Sequence, residues 1–510
     1  LLMATGCSKR FEEYSPNPNL PTSVPPYLLL RTILGSMFDS PGDNDKATQY
    51  TLSSYTYYGD NKYWDGSADL DYEVLKNIEA MEREAVKAQG EQNPFSALAK
   101  FQKAFFYIKM SMKVGDIPMS EAMKGLENTT PKYDSQKDVF RQSLQLLEEA
   151  NNDLTTLIDN NNTLLAGDFY YQERLSNPLS PVDALKAWRK VVNTFRLRVL
   201  INLSHHADDP ELNVKQQFND IISNPTKYPI MQGMEDNLQY VYNDKYNFYP
   251  NNSQNFGFDA LRQTTAATWI NNLAALKDLR VMKVSEPARS LGFPDTDYRS
   301  YVGASNGEDI STMGGKVETG YYSLIGRNRY YEGLTGEPTF IIGYPEMCLT
   351  IAEAINRGWV TGDANDWYMK GIKASFSFYG IVDGSNTIAL QRTGAPHDYI
   401  NYTVNFSFAD YFNQPLVKYA GDNTTGLNQI LLQKYLSMAR NSGMEPYYQW
   451  RRTGVPEFAT GTGVSASEEI PLRYQYPSEE RATNLDNYNS ALQSQYGGND
   501  DIFAKMWIIQ

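Results

Sequence analysis

The sequence predicts a mainly α-helical protein, in which amphipathic helix pairs stack on one another and long irregular loops project from the stack. Apolar residues recur at helical spacing in several long segments. Two neighbouring segments near residue 360 have the alternation of small and large residues that is typical of tetratricopeptide-type helix pairs. The segments between the helices are long, polar and rich in Tyr, which is typical of functional loops. No linker or composition break divides the chain, so we expect one domain over residues 21–510.

The earlier helices are predicted from their apolar stripes and their start signals. Asn93-Pro94 and Ser180-Pro181 each place a capping residue before a proline at the first helical position. The stripes that follow have i, i+3, i+7 spacing, and we expect them to form the core. The predicted segments are 72–89, 94–112, 136–158 and 181–199.

The later helices carry the tetratricopeptide-like pattern. Segments 344–357 and 364–380 are joined by residues 358–363, and the small residues Ala352, Ala364 and Gly371 are spaced 12 and 7 apart. Small residues at such positions let two helices pack closely. A further helix is predicted at about 426–441. The long polar loops are 39–66, 159–180, 223–267, 283–340 and 382–425.

Composition excludes several classes of function. The formal net charge is −14, and a nucleic-acid-binding protein needs a positive field. Beyond the first few positions no apolar run is long enough to span a bilayer. The two cysteines, Cys7 and Cys348, form no metal-binding pattern, and Cys348 lies in an apolar helical stretch where a buried, inert thiol is expected. We therefore predict no cofactor and no metal.

The first residues resemble the end of a secretory signal that closes on a bacterial lipobox. A short apolar stretch runs into Gly6-Cys7, and in a lipobox the cysteine becomes the lipidated first residue of the mature protein. We therefore predict that residues 1–6 are a signal-peptide remnant and residues 7–20 a lipid-anchored tether. Several acyl chains on Cys7 would anchor the protein durably, and the membrane would be contacted through this anchor alone.

Seven stretches in register along the chain resemble the SusD/RagB outer-membrane lipoproteins, and more closely their divergent SusD-like branch. The best match is Gly343-Tyr344-Pro345-Glu346-Met347, which continues through residues 352–359. The other stretches are 11–19, 115–122, 131–136, 371–375, 433–435 and 450–454.

The resemblance implies both a fold and a function. Proteins of this kind have about four tetratricopeptide-like helix pairs and a large irregular region that faces the ligand. They sit on a SusC-like TonB-dependent transporter in the outer membrane, and they bind glycans or, in some members, peptides. The resemblance thus implies a lipid-anchored protein at the cell exterior that captures an oligosaccharide for its transporter. The alternatives are a peptide- or other-nutrient-binding member, or an assembly partner that binds no small ligand.

An enzymatic function finds little support in the residues. Pairs of adjacent acids do not face each other on a helix, so they are no glycosidase dyad by themselves. His205 and His206 are adjacent at a predicted helix end, which favours a contact with the helix dipole over a catalytic triad. Asp43-Asn44-Asp45 could offer oxygens to calcium, but the later bidentate acid is missing.

The predicted ligand site is aromatic, because flat sugar faces stack on Tyr and Trp while amides and charged groups bind hydroxyls. We expect loop aromatics beside polar partners to form it. For Trp64 packing is as good an interpretation as binding, whereas Trp269, Trp359, Trp367 and Trp450 are expected to be core or scaffold. The first predicted group is Tyr57, Tyr58, Asn61, Tyr63, Trp64 and Asp65, and the second is Arg327, Asn328, Arg329, Tyr330 and Tyr331.

Overall fold

The structure is a computed structural model that describes residues 23–440 and 442–510. The predicted signal remnant, the tether and the lipidated Cys7 therefore lie outside the described residues.

The main helices follow one another along the whole described chain, with shorter helical turns between them. They are α1 (Pro26–Gly35), α2 (Tyr72–Gln89), α3 (Pro94–Val114), α4 (Gln136–Asp159), α5 (Pro181–Asn202), α6 (Val214–Ser223), α7 (Ala267–Ala275), α8 (Ile310–Glu318), α9 (Tyr344–Asn356), α10 (Ala364–Phe378), α11 (Thr424–Ser437), α12 (Glu445–Thr453) and α13 (Leu485–Tyr496).

The described strands form three separate antiparallel pairs. Strand β1 (Thr51–Ser53) pairs with β3 (Gln263–Thr265), and β2 (Leu238–Tyr240) pairs with β4 (Thr339–Ile342). Strand β5 (Gly384–Gln391) pairs with β6 (Tyr399–Phe406) over their full length. The mainly helical fold class predicted from the sequence is confirmed.

The helices stack in the order of the chain. Helix α1 packs on α2, and each helix from α2 to α5 packs on the next. Helix α9 contacts α10, α11 and α5, and thereby joins the later helices to the earlier ones. Start signals act as predicted, since Asn93 and Ser180 accept hydrogen bonds from the backbone N–H groups of Ser96 and Asp183.

Close packing of α9 on α10 depends on a residue without a side chain. A Cβ atom at Gly371 would stand 2.5 Å from Leu349 Cγ, which is closer than two carbon atoms can approach. Ala352 and Ala364 are buried at the same interface. This is the small-residue contact that the sequence pattern predicts.

The core contains the aromatic residues that the sequence assigns to packing. Trp269 is 1% exposed, and Trp359 and Trp367 are buried or partly buried against the same core. The ring of Trp450 stacks on Phe458 at 4.9 Å. Cys348 is fully buried, and burial raises the pKa of its thiol to about 12, as expected for an inert side chain.

Buried ion pairs join helices that are far apart in the chain. Glu353 on α9 accepts hydrogen bonds from Arg452 on α12 at 2.5 and 2.9 Å. Glu346 on α9 likewise accepts from Arg198 on α5 at 2.7 and 2.5 Å. Both carboxylates belong to the stretch 343–359, so the most distinctive motif of the sequence ties the stack together.

Candidate functional site

An open cleft of about 830 Å³ lies beside strand β2, between the end of α1 and the loop before α5. Aromatic and amide side chains make up about half of its lining, together with a few charged groups. We call it the Tyr240 cleft, and its main lining residues are Arg31, Phe38, Phe169, Glu173, Arg174, Asn237, Gln239, Tyr240, Asn243, Tyr246 and Asn247.

Tyr240 lies on an aromatic base. Its ring stacks on Phe38, with centroids 3.9 Å apart and planes 8° from parallel. The rings of Phe169 and Tyr242 meet it edge-on at 6.2 and 5.1 Å. Because three rings pack against it, the half-buried Tyr240 is a rigid platform.

Strand pairing and one hydroxyl position this platform. Tyr240 pairs with Thr339 in the β2–β4 ladder. Two residues later the buried Tyr242 shares a hydrogen bond with the Thr339 hydroxyl at 3.0 Å, which secures the chain where it leaves the strand. The base of the cleft is therefore held by the fold.

The loop after β2 presents a second tyrosine at the lip of the cleft. Asn243 Oδ1 accepts hydrogen bonds from the backbone N–H groups of Lys245 and Tyr246, both at 3.0 Å, and its own N–H donates to Asn247. Such a side-chain turn fixes a short loop. Tyr246 stands at its tip with 86% of its surface exposed.

Polar groups surround the two rings. Asn247 donates a hydrogen bond from its amide to the Tyr240 hydroxyl. Burial raises the pKa of Tyr240, so its hydroxyl stays protonated at neutral pH and can donate as well as accept. Arg31 forms an ion pair with Glu173 on the opposite side. The cleft thus offers a flat apolar face ringed by hydrogen-bonding groups.

The first predicted group divides between surface and interior. Tyr57 is 81% exposed and Asp65 is exposed, whereas Asn61 and Tyr63 are buried. Both polar atoms of the Asn61 amide bond the backbone of Ser53 at 2.8 Å. The side chain of Tyr58 is not described.

Asn61 and Tyr63 therefore support β1 and its surroundings from the interior, and a role for them in ligand binding stays a prediction. The Tyr63 hydroxyl donates to the Ala47 carbonyl at 2.8 Å, deep in the core. The Asn61 amide bonds the backbone N–H and carbonyl of Ser53 in β1, as the backbone of a neighbouring strand would. Tyr57 and Asp65 lie at the surface, and their role in binding stays a prediction.

Trp64 packs. Its indole N–H donates to the Arg473 carbonyl at 2.8 Å, and its ring stacks on Tyr474 at 4.0 Å. Of the two interpretations given by the sequence, the structure favours packing, because one ring face is covered and the polar tip is satisfied.

The second predicted group is mostly interior, which corrects the expectation of an exposed aromatic surface. Tyr330 and Tyr331 are fully buried, and the guanidinium of Arg440 lies 4.5 Å above the Tyr330 ring. Arg327 is buried and donates to the Ala260 carbonyl at 2.9 Å. Only Asn328 is exposed, beside a small cavity of about 210 Å³.

Arg329 also has a structural partner. Its Nε donates to Glu337 at 2.6 Å, and its guanidinium lies 4.5 Å from the Tyr379 ring centroid. No residue of either predicted group is among the described residues that line the Tyr240 cleft.

Asp45, which the sequence does not favour as a calcium ligand, and the histidines also have protein partners. Asp45 forms a 3.0 Å ion pair with Arg440, and burial raises its pKa to about 6. Within the described residues there is no group of three or more acidic, Cys or His side chains that could hold a metal ion. His205 and His206 bond the carbonyls of Arg452 and Trp507, at 2.8 and 2.7 Å, and do not cap their own helix.

The sequence contained a partial signal for the cleft. Residues 240–244, Tyr-Val-Tyr-Asn-Asp, are a tyrosine cluster in a polar segment, which is the feature that predicts exposed binding aromatics. Nothing in the sequence places Phe38 and Phe169 beside Tyr240, because these residues come from three separate segments.

A family model described as starch-binding and associating with the outer membrane matches residues 18–477. The chain belongs to the SusD-like family. A SusD homologue of Bacteroides fragilis is 30% identical, with a TM-score of 0.76, and the match covers 96% of this chain and all of the other. A second SusD homologue from the same species is 26% identical, with a TM-score of 0.80 and the same coverage.

More distant structures share the fold. A chitin-binding SusD homologue from Flavobacterium johnsoniae is 21% identical, with a TM-score of 0.68 over 95% of this chain and 98% of its own. A search of curated proteins gives no match. The SusD-like family is a family of binding proteins associated with the outer membrane. In the part of the chain that the structure describes, no helix is both long and apolar enough to cross a membrane.

Proposed function

We propose that this SusD-like protein is a cell-surface lipoprotein that captures an oligosaccharide in the Tyr240 cleft and delivers it to a SusC-like TonB-dependent transporter. The observation that carries the proposal is the half-buried Tyr240 ring, which is stacked on Phe38 at 3.9 Å and surrounded by amide side chains. A rigid ring with an open face and nearby hydrogen-bonding groups is the arrangement that a sugar requires.

The physical match is between two kinds of surface. The C–H face of a pyranose is apolar and flat, and it packs on an aromatic face, while its hydroxyls at the edge need donors and acceptors. Tyr240 and Tyr246 supply apolar area, and Asn243 and Asn247 lie beside them. A volume of about 830 Å³ is within the range of roughly 300–1,000 Å³ that small-ligand sites have.

The relatives suggest which sugars to test first. The family model is described as starch-binding, and a similar structure is that of a chitin-binding protein. Maltooligosaccharides and chitooligosaccharides are therefore the first ligands to examine. We propose no catalytic role, because delivery to a transporter requires release of the unchanged ligand, and modest affinity favours that release.

A titration of the full chain with both oligosaccharide series tests the proposal. We expect saturable binding of one series, and we expect Tyr240→Ala to weaken it by roughly 2 kcal/mol, a loss of about 30-fold, as a central aromatic contact does. Tyr246→Ala should have a smaller effect because that ring is mostly exposed.

Two matched controls separate the cleft from other tyrosine surfaces. Tyr321 is 48% exposed and does not line the cleft, so Tyr321→Ala should leave the affinity unchanged. Tyr57→Ala tests the surface predicted from the sequence. A loss confined to Tyr57→Ala would move the site to that loop. Binding of peptides with no binding of any sugar would support the peptide-binding alternative.

The anchor and the transporter need separate tests. Metabolic labelling with a radioactive fatty acid should mark the wild-type protein and not Cys7→Ser. Affinity purification of the tagged, lipidated protein from outer membranes should recover a TonB-dependent transporter in stoichiometric amount. If the protein is labelled but no transporter is recovered with it, the proposed capture function would stand and the proposed delivery function would be refuted.

A further inference from the structure

A second cavity, of about 400 Å³, lies on the other side of Phe38 from the Tyr240 cleft. It is lined by α3, α5, β4, the start of α12 and the chain around residue 39. We call it the Glu445 cavity. Phe38 lines both spaces, so they are neighbours, but the two have different chemistry.

Charged groups distinguish the Glu445 cavity from the Tyr240 cleft. Its carboxylates are Asp39, Asp69, Asp71 and Glu445, and its cationic groups are Lys109, Lys113 and Arg198. The apolar part of the wall contains the aromatic rings of Phe105, Phe195 and Tyr448 and several methionines. A ligand for this space needs both a polar group and an apolar body.

The cations of the cavity already have acceptors within the protein. Lys109 lies 3.0 Å from Asp39, and Lys113 donates to the Asp69 carbonyl at 2.8 Å. Arg198 makes two hydrogen bonds to Glu346, at 2.7 and 2.5 Å, and one to the Ile341 carbonyl. Their main donors are therefore in use.

Two of the carboxylates have fewer hydrogen-bond donors near them than they can accept from. Among the described residues no hydrogen-bond donor reaches the Glu445 carboxylate, and its nearest cation is Arg198 at 3.7 Å, which already bonds Glu346. Asp71 Oδ2 likewise lacks a hydrogen bond from any described residue, and Lys113 is 3.7 Å away. Lys434 also attracts Glu445, but burial lowers the pKa of that lysine, and its strongest attraction is to Glu353.

We propose that the Glu445 cavity is a second binding site, and that it takes a primary ammonium group carried on a small apolar or sugar body. The ammonium brings the three N–H donors that Glu445 lacks. The apolar wall receives the rest of the ligand. A cavity of this size holds a single small unit.

The first test uses hexylammonium as the probe and hexanol as its neutral counterpart, with the full chain in a calorimeter. We expect hexylammonium to bind with saturation and hexanol to bind at least about tenfold more weakly, because a hydrogen bond to a charged group contributes roughly 1.5–3 kcal/mol. Equal binding of the two probes, or no saturable binding of hexylammonium, would overturn the proposal.

Two variants with opposite expected effects keep the test independent of folding. Glu445→Gln should weaken hexylammonium binding by about tenfold or more. Lys109→Met removes the partner of Asp39 and adds a free carboxylate to the cavity, so it should tighten binding. Glu173→Gln, which alters the Tyr240 cleft, is the matched control and should leave hexylammonium binding unchanged. Unchanged affinity in both cavity variants would refute the assignment.

The ammonium group could come from an amino sugar or from a peptide. D-glucosamine and lysine methyl ester distinguish these sources, and the tighter ligand identifies the natural one. This inference does not depend on the Tyr240 cleft, since Tyr240→Ala should leave hexylammonium binding intact even though it weakens the binding of neutral sugars.

Discussion

The buried pair of Glu353 and Arg452 makes a sharp test of how the helix stack is held together. Glu353 is fully buried on α9, and it accepts two hydrogen bonds from Arg452 on α12 and one, at 3.0 Å, from Arg357. The substitution Glu353→Gln keeps the shape of the side chain and removes its charge. Arg452 would then be a buried guanidinium without its carboxylate.

Two lines of reasoning give a similar value for the free energy of unfolding that Glu353→Gln should lose. Burial alone would raise the pKa of Glu353, but the charge and hydrogen bonds of Arg452, together with the charges of Lys434 and Arg357, outweigh it and lower the pKa from 4.5 to about 2. A difference of this size corresponds to about 3 kcal/mol of stabilisation of the ionised form. Removing one partner of a buried ion pair costs roughly 3–5 kcal/mol by general experience.

Urea unfolding followed by circular dichroism measures the loss directly. We expect Glu353→Gln to lower the free energy of unfolding by about 3 kcal/mol. The control is Asp138→Asn, which breaks an exposed pair with Arg141 and should cost less than about 1 kcal/mol. Equal effects of the two substitutions would refute the account of the buried pair.

The same pair predicts a dependence on pH. Because the folded-state pKa of Glu353 lies below its ordinary value, its contribution is fully present above pH 4.5 and is lost as the pH falls towards 2. The stability difference between wild type and Glu353→Gln should therefore shrink over that interval. A difference that stays constant from pH 6 to pH 3 would contradict the assignment.

Further predictions concern helix packing and the cleft. Gly371→Ala should destabilise the fold by roughly 1–3 kcal/mol in urea unfolding, because the new Cβ would meet Leu349. The control Gly315→Ala on α8 has open space around its Cβ and should be neutral or slightly stabilising. Equal effects of the two substitutions would contradict close α9–α10 packing. Asn243→Ala should weaken oligosaccharide binding a few-fold, because it loosens the loop that presents Tyr246, and it should change the free energy of unfolding little. Unchanged affinity would mean that this loop does not contribute to binding.

Helices with strong periodicity and clear caps could be predicted from the sequence. The predicted segment 72–89 coincides with α2, and the start signals at Asn93 and Ser180 give the first residues of α3 and α5. Both the 3.6-residue pattern and the cap are local properties, so the surrounding structure is not needed to recognise them.

Elements without such local signals were missed. The hairpin of β5 and β6 lies within a segment predicted as loop, although β6 alternates in exposure along its length. Its outward residues Asn401, Thr403 and Asn405 alternate with Tyr402, Val404 and Phe406, but this short strand pattern lies inside a long polar segment that the sequence predicts as loop. Helices α1 and α13 follow no distinct predicted stripe, and their stability comes from packing against the rest of the structure.

The sequence predicts the kind of candidate site, aromatic side chains beside polar ones, but not which residues form it. Tyr330 and Tyr331 are in a polar stretch that indicates exposure, yet Arg440 and Asn251 come from distant segments and bury them. Conversely, the Tyr240 platform needs Phe38 from beyond α1 and Phe169 from the loop before α5. Burial and aromatic stacking of this kind depend on tertiary contacts, which one sequence does not specify.

A crystal structure of the full chain with the tightest-binding oligosaccharide tests the central claim most directly. The account predicts a sugar ring lying face to face with Tyr240, roughly 4 Å from it as apolar contacts are. Its hydroxyls should bond the amides of Asn243 or Asn247. A ligand bound at Tyr57, or anywhere else with Tyr240 untouched, would contradict the account.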